Sequence, residues 1–300
     1  MTGDHALDLS VIIPTYRRNQ VLVDTLESLL ALQSGAGEIL VMDQTESHDA
    51  PTERRLRELD AQGAIRWIRL EQPSITSAMN RGLELATRCV VLFLDDDIRP
   101  EAGLLRAHAA AHESTETALV AGRVIQPWQE TLSDFDTGGF HFAQTRPAAI
   151  TEFIGANFSL PREVALRLRG FDENFVRVAY RFEAEFAHRL LAAGLPIRFE
   201  PEACLHHLKA SDGGTRTFGE HLTTWRPDHA VGAYYHGLRT GSAAIFLTRP
   251  ARAIATRYHL RHPWRIPATL LAELGGMLWA TALRVRGPRL LPPPRDSARA

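Results

Sequence analysis

Val90-Val91-Leu92-Phe93-Leu94-Asp95-Asp96-Asp97 is the stretch that decides how the chain is read. Five apolar residues run directly into three carboxylates. An unbroken apolar run of this length suits a strand buried on both faces. The acids then stand at its C-terminal end, where open α/β sheets hold their ligands. Side chains alternate along an extended chain, so Asp95 and Asp97 point one way and Asp96 the other. Two carboxylates on one side, with no protein cation among them, form a costly cluster. A divalent metal carrying a phosphate relieves it, since Mg²⁺ takes one or two carboxylates and leaves the rest of its shell to water and phosphate oxygens. The bland alternative is an acidic turn capping the helix that Pro100 and Glu101 begin.

On either side of this stretch, strand and helix patterns alternate. Residues 9–13 form an apolar run ended by Pro14. Residues 21–30 carry leucines at helical spacing, and residues 38–42 form a second buried strand closed by Asp43. A charged helix over 51–61, a strand over 65–70 and a helix over 74–87 follow. Gly82 inside that helix costs roughly 1 kcal/mol against Ala, which points to close packing. Beyond the acids, the pattern predicts a helix over 100–112 and strands over 119–125 and 153–159. A helix over 162–169 ends at Gly170, a good C′ residue. A further helix over 181–193 precedes a strand over 196–200, and residues 203–208 carry the pair His206-His207. The predicted fold class is α/β, a mostly parallel central sheet with helices on both faces. Residues 15–18 read Thr-Tyr-Arg-Arg, without the glycine-rich turn that a dinucleotide-binding unit places after its first strand. Residues 128–146 lack periodicity and read as a long loop over a site; residues 209–216 read as a second loop.

The chain has 300 residues, 45% hydrophobic and 23% charged, with a formal net charge of -1, an ordinary globular composition. Its two cysteines, Cys89 and Cys204, lack metal-ligand spacing and fit a reducing compartment. Residues 1–8 have no basic, then apolar pattern, so no signal peptide is expected. Residues 229–295 hold ten arginines and one acid, Glu273. These basic residues are not interleaved with aromatics, and nucleic acid is not an expected partner. Residues 266–285 are mostly apolar, and arginines bracket them. Two readings stand: a helix lying in the plane of an anionic membrane surface, or one packed on the rest of the protein. Residues 292–300 read as a disordered tail. Core packing is the expected role for Trp128 and Trp225.

Taken in order, Val11-Ile12-Ile13-Pro14-Thr15-Tyr16, Val41-Met42-Asp43, Asn80-Arg81-Gly82, Phe93-Leu94-Asp95-Asp96-Asp97, Gly155-Ala156-Asn157 and Gly170-Phe171-Asp172-Glu173 resemble glycosyltransferase family 2. These are the inverting nucleotide-sugar enzymes of the GT-A fold. The resemblance covers about residues 8 to 210. It implies transfer of a sugar from a nucleoside diphosphate, most simply UDP, to a hydroxyl of a carbohydrate or lipid-linked acceptor, with Mg²⁺ or Mn²⁺ as cofactor. It further implies donor contacts at Pro14, Thr15, Tyr16, Arg18, Asp43, Asn80, Arg81, Asp95 and Asp96, and an acceptor side at Gly155, Asn157, Asp172 and Glu173. The implied metal ligands are Asp95, Asp97 and His207, and the implied base is Glu183. Packing remains an open alternative for Asn80, Gly82 and His207.

Three positions depart from the family's usual pattern: Gln44 where a second acid is common, Glu183 where aspartate is usual, and Phe182 where another acid is usual. The helix itself separates two candidate bases. Glu183 and Glu185 are two apart and do not share a face, while Glu185 stands four before Arg189, an ion-pair spacing. The implied organisation is a catalytic domain over 1–215 and an arginine-rich helical appendage over 216–300, in the cytoplasm or at the inner face of the cell membrane. Two other readings of the acids are weighed against this one: a nucleotidyltransferase, and a binding module without turnover.

Overall fold

A computed structural model of the chain describes residues 7–33, 35–113, 118–130, 135–136, 138–219, 222–242 and 244–293. Its strands are β1 (Leu7–Thr15), β2 (Ala36–Asp43), β3 (Arg66–Arg69), β4 (Val90–Leu94), β5 (Ile98–Pro100), β6 (Leu119–Ile125), β7 (Ala148–Ile150), β8 (Asn157–Pro161) and β9 (Ile197–His207). Helices α1 (Gln20–Leu30), α2 (Ala50–Ala61), α3 (Ile75–Leu85) and α4 (Leu104–Ala111) precede α5 (Arg162–Arg167) and α6 (Phe182–Ala192). The chain then runs through α7 (Ala230–Arg239), α8 (Ile245–Ile254), α9 (Arg257–Arg261) and α10 (Ile266–Arg286).

Among the described residues nine strands join one sheet, ordered β3-β2-β1-β4-β8-β6-β9-β5, with β7 also paired to β9. The half from β3 to β4 is parallel, as the alternating pattern predicts. Past β4 the sheet is mixed. β8 runs antiparallel to both β4 and β6, β6 and β9 are parallel, and β5 and β7 are antiparallel to β9. β8 enters from an irregular segment rather than a crossover helix, which leaves it free to run against its neighbours.

The apolar runs split by parity. Val91 and Phe93 of β4 join Ile12 in one buried cluster, while Leu92 and Leu94 join Val11 and Ile13 in the cluster on the opposite face. Phe93 stacks on Phe158 at 4.9 Å between ring centroids and meets Phe171 edge-on at 5.4 Å. Burial on both faces is why β4 shows no alternation in sequence. Gly82 has the packing reason expected of it: a Cβ there would lie 2.4 Å from Ile12 Cγ2, so α3 sits directly on β1.

Several boundaries differ from the sequence reading. Residues 98–100 form the short strand β5, and the helix after it starts only at Leu104. β7 falls where no strand is predicted. Residues 153–156 are irregular, and β8 begins at Asn157. The strand expected over 196–200 runs on to His207 as β9, whose register against β6 slips between Gly122 and Arg123, opposite Pro201 and its neighbours. Proline has no N–H for the ladder, so the sequence signal breaks where the strand does not. Of the long loop expected over 128–146, residues 131–134 and 137 lie outside the described residues, as do 294–300 of the expected tail.

Residues after 216 contribute to the main core. Tyr234 and Tyr235 of α7 are fully buried in the cluster that holds Phe93 and Phe158, together with Ala280 and Leu283 of α10. α7 lies between α6 and α10.

Candidate active site

The site follows from two registers. β1 and β4 pair in parallel with Ile12 opposite Phe93, so counting three residues on from each brings Thr15 beside Asp96. The Thr15 hydroxyl donates to Asp96 Oδ2 at 2.7 Å. β5 and β9 pair with Ile98 opposite His207, which carries His207 to Asp97 and Asp95. His207 Nε2 lies 3.1 Å from Asp97 Oδ1 and 3.6 Å from Asp95 Oδ2. The triplet is held from behind by Thr25 of α1, whose hydroxyl accepts from the Ile98 N–H and reaches the Asp96 carbonyl at 3.0 Å.

The acids divide as alternation predicts: Asp95 and Asp97 face His207, and Asp96 faces Thr15. One expectation needs correction. A protein cation does stand among them, for Arg18 Nε lies 3.2 Å from Asp96 and its Nη2 3.4 Å from Asp97. Arg18 is therefore first a partner of the acids.

Asp95, Asp97 and His207 can each offer one ligand atom, all within 4.8 Å of one another. Two carboxylate oxygens and an imidazole nitrogen suit a divalent cation such as Mn²⁺ or Mg²⁺. Gln126 Oε1 lies 3.1 Å from His207 Nδ1; accepting from Nδ1–H, it favours the tautomer that leaves Nε2 free to ligate. Burial pushes Asp95 up to about 6, and the neighbouring Asp97 charge adds to that. Burial also pushes Asp96 up to about 7 against the pull of Arg18. Burial works to raise Asp97 too, but its bonds to His207 and to the Ala210 N–H, with Arg18 nearby, leave it below the usual range. Burial works to lower His207, and the two carboxylates outweigh it and leave it raised. Two partly shielded carboxylates and an imidazole so close together form an anionic site that a bound cation would relieve.

A cleft of about 560 Å³ opens over the triplet. Pro14, Thr15, Tyr16 and Arg18 line one side, and Gly155 and Glu183 line the other. Glu183 sits in the first turn of α6, with its carboxylate against the backbone of Gly155. A Cβ on residue 155 would come within 2.9 Å of Glu183 Oε1, so glycine is what allows the approach. Burial pushes Glu183 up to about 7; backbone N–H groups pull it down, and the Asp95 charge pushes it further up. Glu185 is buried on another face, held by Arg189 at 3.0 Å and by Arg239 at 2.9 Å. The ion-pair reading of Glu185 holds, and of the two glutamates Glu183 is the one that lines the cleft.

Several expected site residues lie elsewhere. Asp43 is fully buried away from the cleft, with its oxygens taken by His48, by Trp67 Nε1 at 2.9 Å and by the Thr45 N–H. Its neighbour Gln44 lines the cleft instead, because adjacent strand side chains face opposite ways. Asn80 is buried and brackets Phe171, donating to its carbonyl at 2.8 Å and accepting from its N–H at 2.7 Å. Arg81 is exposed and pairs with Glu84. Asn157 is buried against His108 and the carbonyls of Arg123 and Ala203. Asp172 is bound by Tyr235 Oη and the Arg289 N–H, and Glu173 by Arg289. None of these six motif residues lines the cleft, and all but the exposed Arg81 hold turns and strands together. Asp43, Asn157 and Asp172 are buried polar groups that must be satisfied, and the fold satisfies them internally.

Sequence reasoning also missed parts of the site. Arg177, Ala179 and Arg181 have positive φ and line the cleft, and Arg181 pairs with Glu152 at 2.9 Å. No residue-type signal marks such backbone. Thr25 was findable, as a polar residue on the buried leucine stripe of α1. The loop expected over 209–216 does border the cleft, through Lys209, Gly214, Thr215 and Arg216. Gly213 is required there: its φ is +75°, and a Cβ would fall 2.3 Å from the Arg17 carbonyl. Trp128 and Trp225 are both exposed rather than core, and Lys209 Nζ lies 4.2 Å over the Trp128 ring.

A model of the family described as "Glycosyl transferase family 2" matches residues 10–167. The chain is 26% identical over 185 residues to a glucosyl-dolichyl phosphate glucuronosyltransferase of Haloferax volcanii, covering 56% of this chain and 57% of that protein. It is 27% identical over 171 residues to a pre-mycofactocin glycosyltransferase of Mycobacterium tuberculosis, covering 54% and 33%. It thus spans between a third and about three fifths of the length of these relatives. Among solved structures, the mannosyltransferase PcManGT from Pyrobaculum calidifontis in complex with GDP-Man and Mn²⁺ superposes with a TM-score of 0.56. That match has 19% identity and covers 94% of this chain and 80% of that one. GalNAc-T7 with UDP, GalNAc and Mn²⁺ superposes with a TM-score of 0.55 at 14% identity, covering 86% and 55%. At these identities the likeness is one of fold, and the fold is GT-A.

Proposed function

The chain belongs to glycosyl transferase family 2, and on that premise we propose that it transfers a sugar from a nucleoside diphosphate sugar to an acceptor hydroxyl with inversion at the anomeric carbon. The observation that carries this is the cleft itself. A three-ligand anionic cluster lies on its floor, and a separate carboxylate, Glu183, stands in its wall. Asp95, Asp97 and His207 would hold the divalent ion, which when bound supplies a Lewis acid for the diphosphate oxygens. Arg18, Lys209 and Arg216 line the same cleft and favour an anionic leaving group. Glu183 takes the proton from the acceptor hydroxyl as that oxygen bonds the anomeric carbon and the bond to the diphosphate breaks. A single base on the side opposite the leaving group gives inversion.

The donor in this reading is UDP-linked, and the acceptor is a carbohydrate or a lipid-linked sugar. The Haloferax relative, whose name specifies a glucosyl-dolichyl phosphate, supports the lipid-linked case. Work in the cytoplasm, at the inner face of the membrane, belongs to the same proposal. Sugar transfer is preferred to nucleotidyl transfer because no glycine-rich basic loop follows β1, and to a silent binding module because a carboxylate with a raised pKa faces the metal cluster.

The test is a panel of UDP- and GDP-sugars with Mn²⁺ or with chelator, read as nucleotide release. Metal-dependent release of UDP, with Glu183→Gln lower by about 10²–10⁴-fold at unchanged melting temperature, is the expected outcome. Near-normal turnover by Glu183→Gln would reject Glu183 as the base. Release unaffected by chelator would reject the ion.

A further inference from the structure

α10 has two apolar faces, and the protein uses only one. Its inner face, through Thr269, Ala272, Glu273, Gly276, Ala280 and Leu283, is buried. Glu273, the one charge between residues 266 and 283, points inward: Tyr234 Oη donates to it and Arg249 Nε lies 3.1 Å away. At Gly276 a Cβ would fall 2.6 Å from Ala230 Cβ, so α10 lies hard against α7. The outer face carries Leu271, Leu274, Leu278 and Val285 at helical spacing, the last two 66% and 84% exposed. No charged residue interrupts it before Arg284. A helix on a water-facing surface would carry polar residues there. Arg261 and Arg265 precede this face, Arg284 and Arg286 follow it, and all four are exposed.

We infer that the outer face of α10 is a docking surface for an anionic lipid bilayer, on which the helix lies in the plane of the interface. Charge complementarity selects this occupant. An apolar strip bracketed by exposed arginines, in a region almost without acids, fits anionic headgroups and repels a second copy of itself. Length and composition would also permit a membrane span over Pro263–Arg286, but the helix and the chain after it are tied to the catalytic body. Within the helix, Ala280 and Leu283 are buried in the core cluster that holds Phe93 and Phe158. After it, the Gly287 carbonyl accepts from Asn174, and the Leu291 N–H donates to the Arg169 carbonyl. The buried Glu273 holds the middle. A spanning helix would have to break all three anchors. The inference stands on this geometry and not on the transfer chemistry.

The experiment is flotation of the full-length chain with vesicles of phosphatidylcholine alone or with about a third phosphatidylglycerol, at low and at 0.5 M salt. The expected result is binding to the anionic vesicles that weakens with salt. The double variant Leu274→Glu, Leu278→Glu should weaken it at least about tenfold. Both positions are on the exposed face, so the variant is expected to keep the parent's circular dichroism and its nucleotide binding. Arg284→Gln, Arg286→Gln should lose the preference for phosphatidylglycerol. No binding to either vesicle, or binding unchanged in the leucine variant, overturns the inference. So does a parent that is dimeric by light scattering and becomes monomeric in the leucine variant. Resistance of the protein in cell membranes to alkaline carbonate would overturn the in-plane placement in favour of a span.

Discussion

At the scale of single residues, the site is a contest between burial and charge. Asp96 and Glu183 are both pushed up to about 7 by burial, yet they end in different roles. Asp96 is answered by Thr15 and Arg18, which fix it as part of the scaffold under the metal cluster. Glu183 has backbone N–H groups to hold it but, among the described residues, no side-chain cation at bonding distance, and its carboxylate faces the cleft. A carboxylate accepts a proton only when ionised, so raising its pKa moves the acidic limb of the rate profile upward. In the proposed reading, kcat/KM should fall about tenfold for each pH unit below about 7 and level off above it. Burial is the largest cause of the shift, so the limb should persist at high salt, where surface charges are screened. A pH profile of sugar transfer under saturating metal checks this, and a limb near 4 to 5 would point to an exposed carboxylate as the base instead.

At the scale of elements, packing decides what propensity alone gets wrong. Gly82 lies inside α3, where Ala is favoured by about 1 kcal/mol. The Cβ would meet Ile12 Cγ2 at 2.4 Å, and Ile12 is fully buried in β1, so the helix or the strand must shift. Gly82→Ala is therefore expected to destabilise the protein by about 1–3 kcal/mol, the sign opposite to the helix scale, in urea unfolding. A stabilised variant would show that α3 can slide on the sheet. The same distinction explains what the sequence could tell. β1, β2 and β4 were legible because two-sided burial writes an unbroken apolar run. α6 and its two glutamates were legible because residues two apart on a helix cannot share a face. β5 and β7, three residues each, write too little pattern to see, yet β5 delivers His207 to Asp97. The Asn80, Asn157 and Asp172 motifs could be found but not assigned. Residue type shows that such a group needs partners, and only the tertiary fold shows whether those partners are a ligand or a backbone. The wall formed by Arg177, Ala179 and Arg181 was invisible, because positive φ at non-glycine positions is imposed by surroundings distant in sequence.

At the scale of the whole molecule, the segment after residue 226 behaves as a wall of the catalytic body. α7 presses so close to the cleft-lining segment that a Cβ at Gly232 would fall 2.3 Å from the Tyr180 carbonyl. Tyr235 Oη donates to Asp172 at 2.7 Å, and the Arg289 N–H donates to the same fully buried carboxyl at 2.9 Å. A chain ending at residue 226 would lose these partners together with Arg239. Leaving a buried charge unpaired costs about 3–5 kcal/mol. Removing Tyr234 and Tyr235 from the core that holds Phe175 and Phe186 costs about 3–5 kcal/mol for each ring. The sum reaches the whole stability of an ordinary domain, about 5–15 kcal/mol. The truncated chain is therefore expected to be insoluble or unfolded by circular dichroism, although it keeps every residue of the metal cluster and Glu183. If it instead melts within a few degrees of the full chain and still releases nucleotide, then residues 227–300 are a separable appendage, and the positive-φ wall of the cleft holds its shape without α7 behind it.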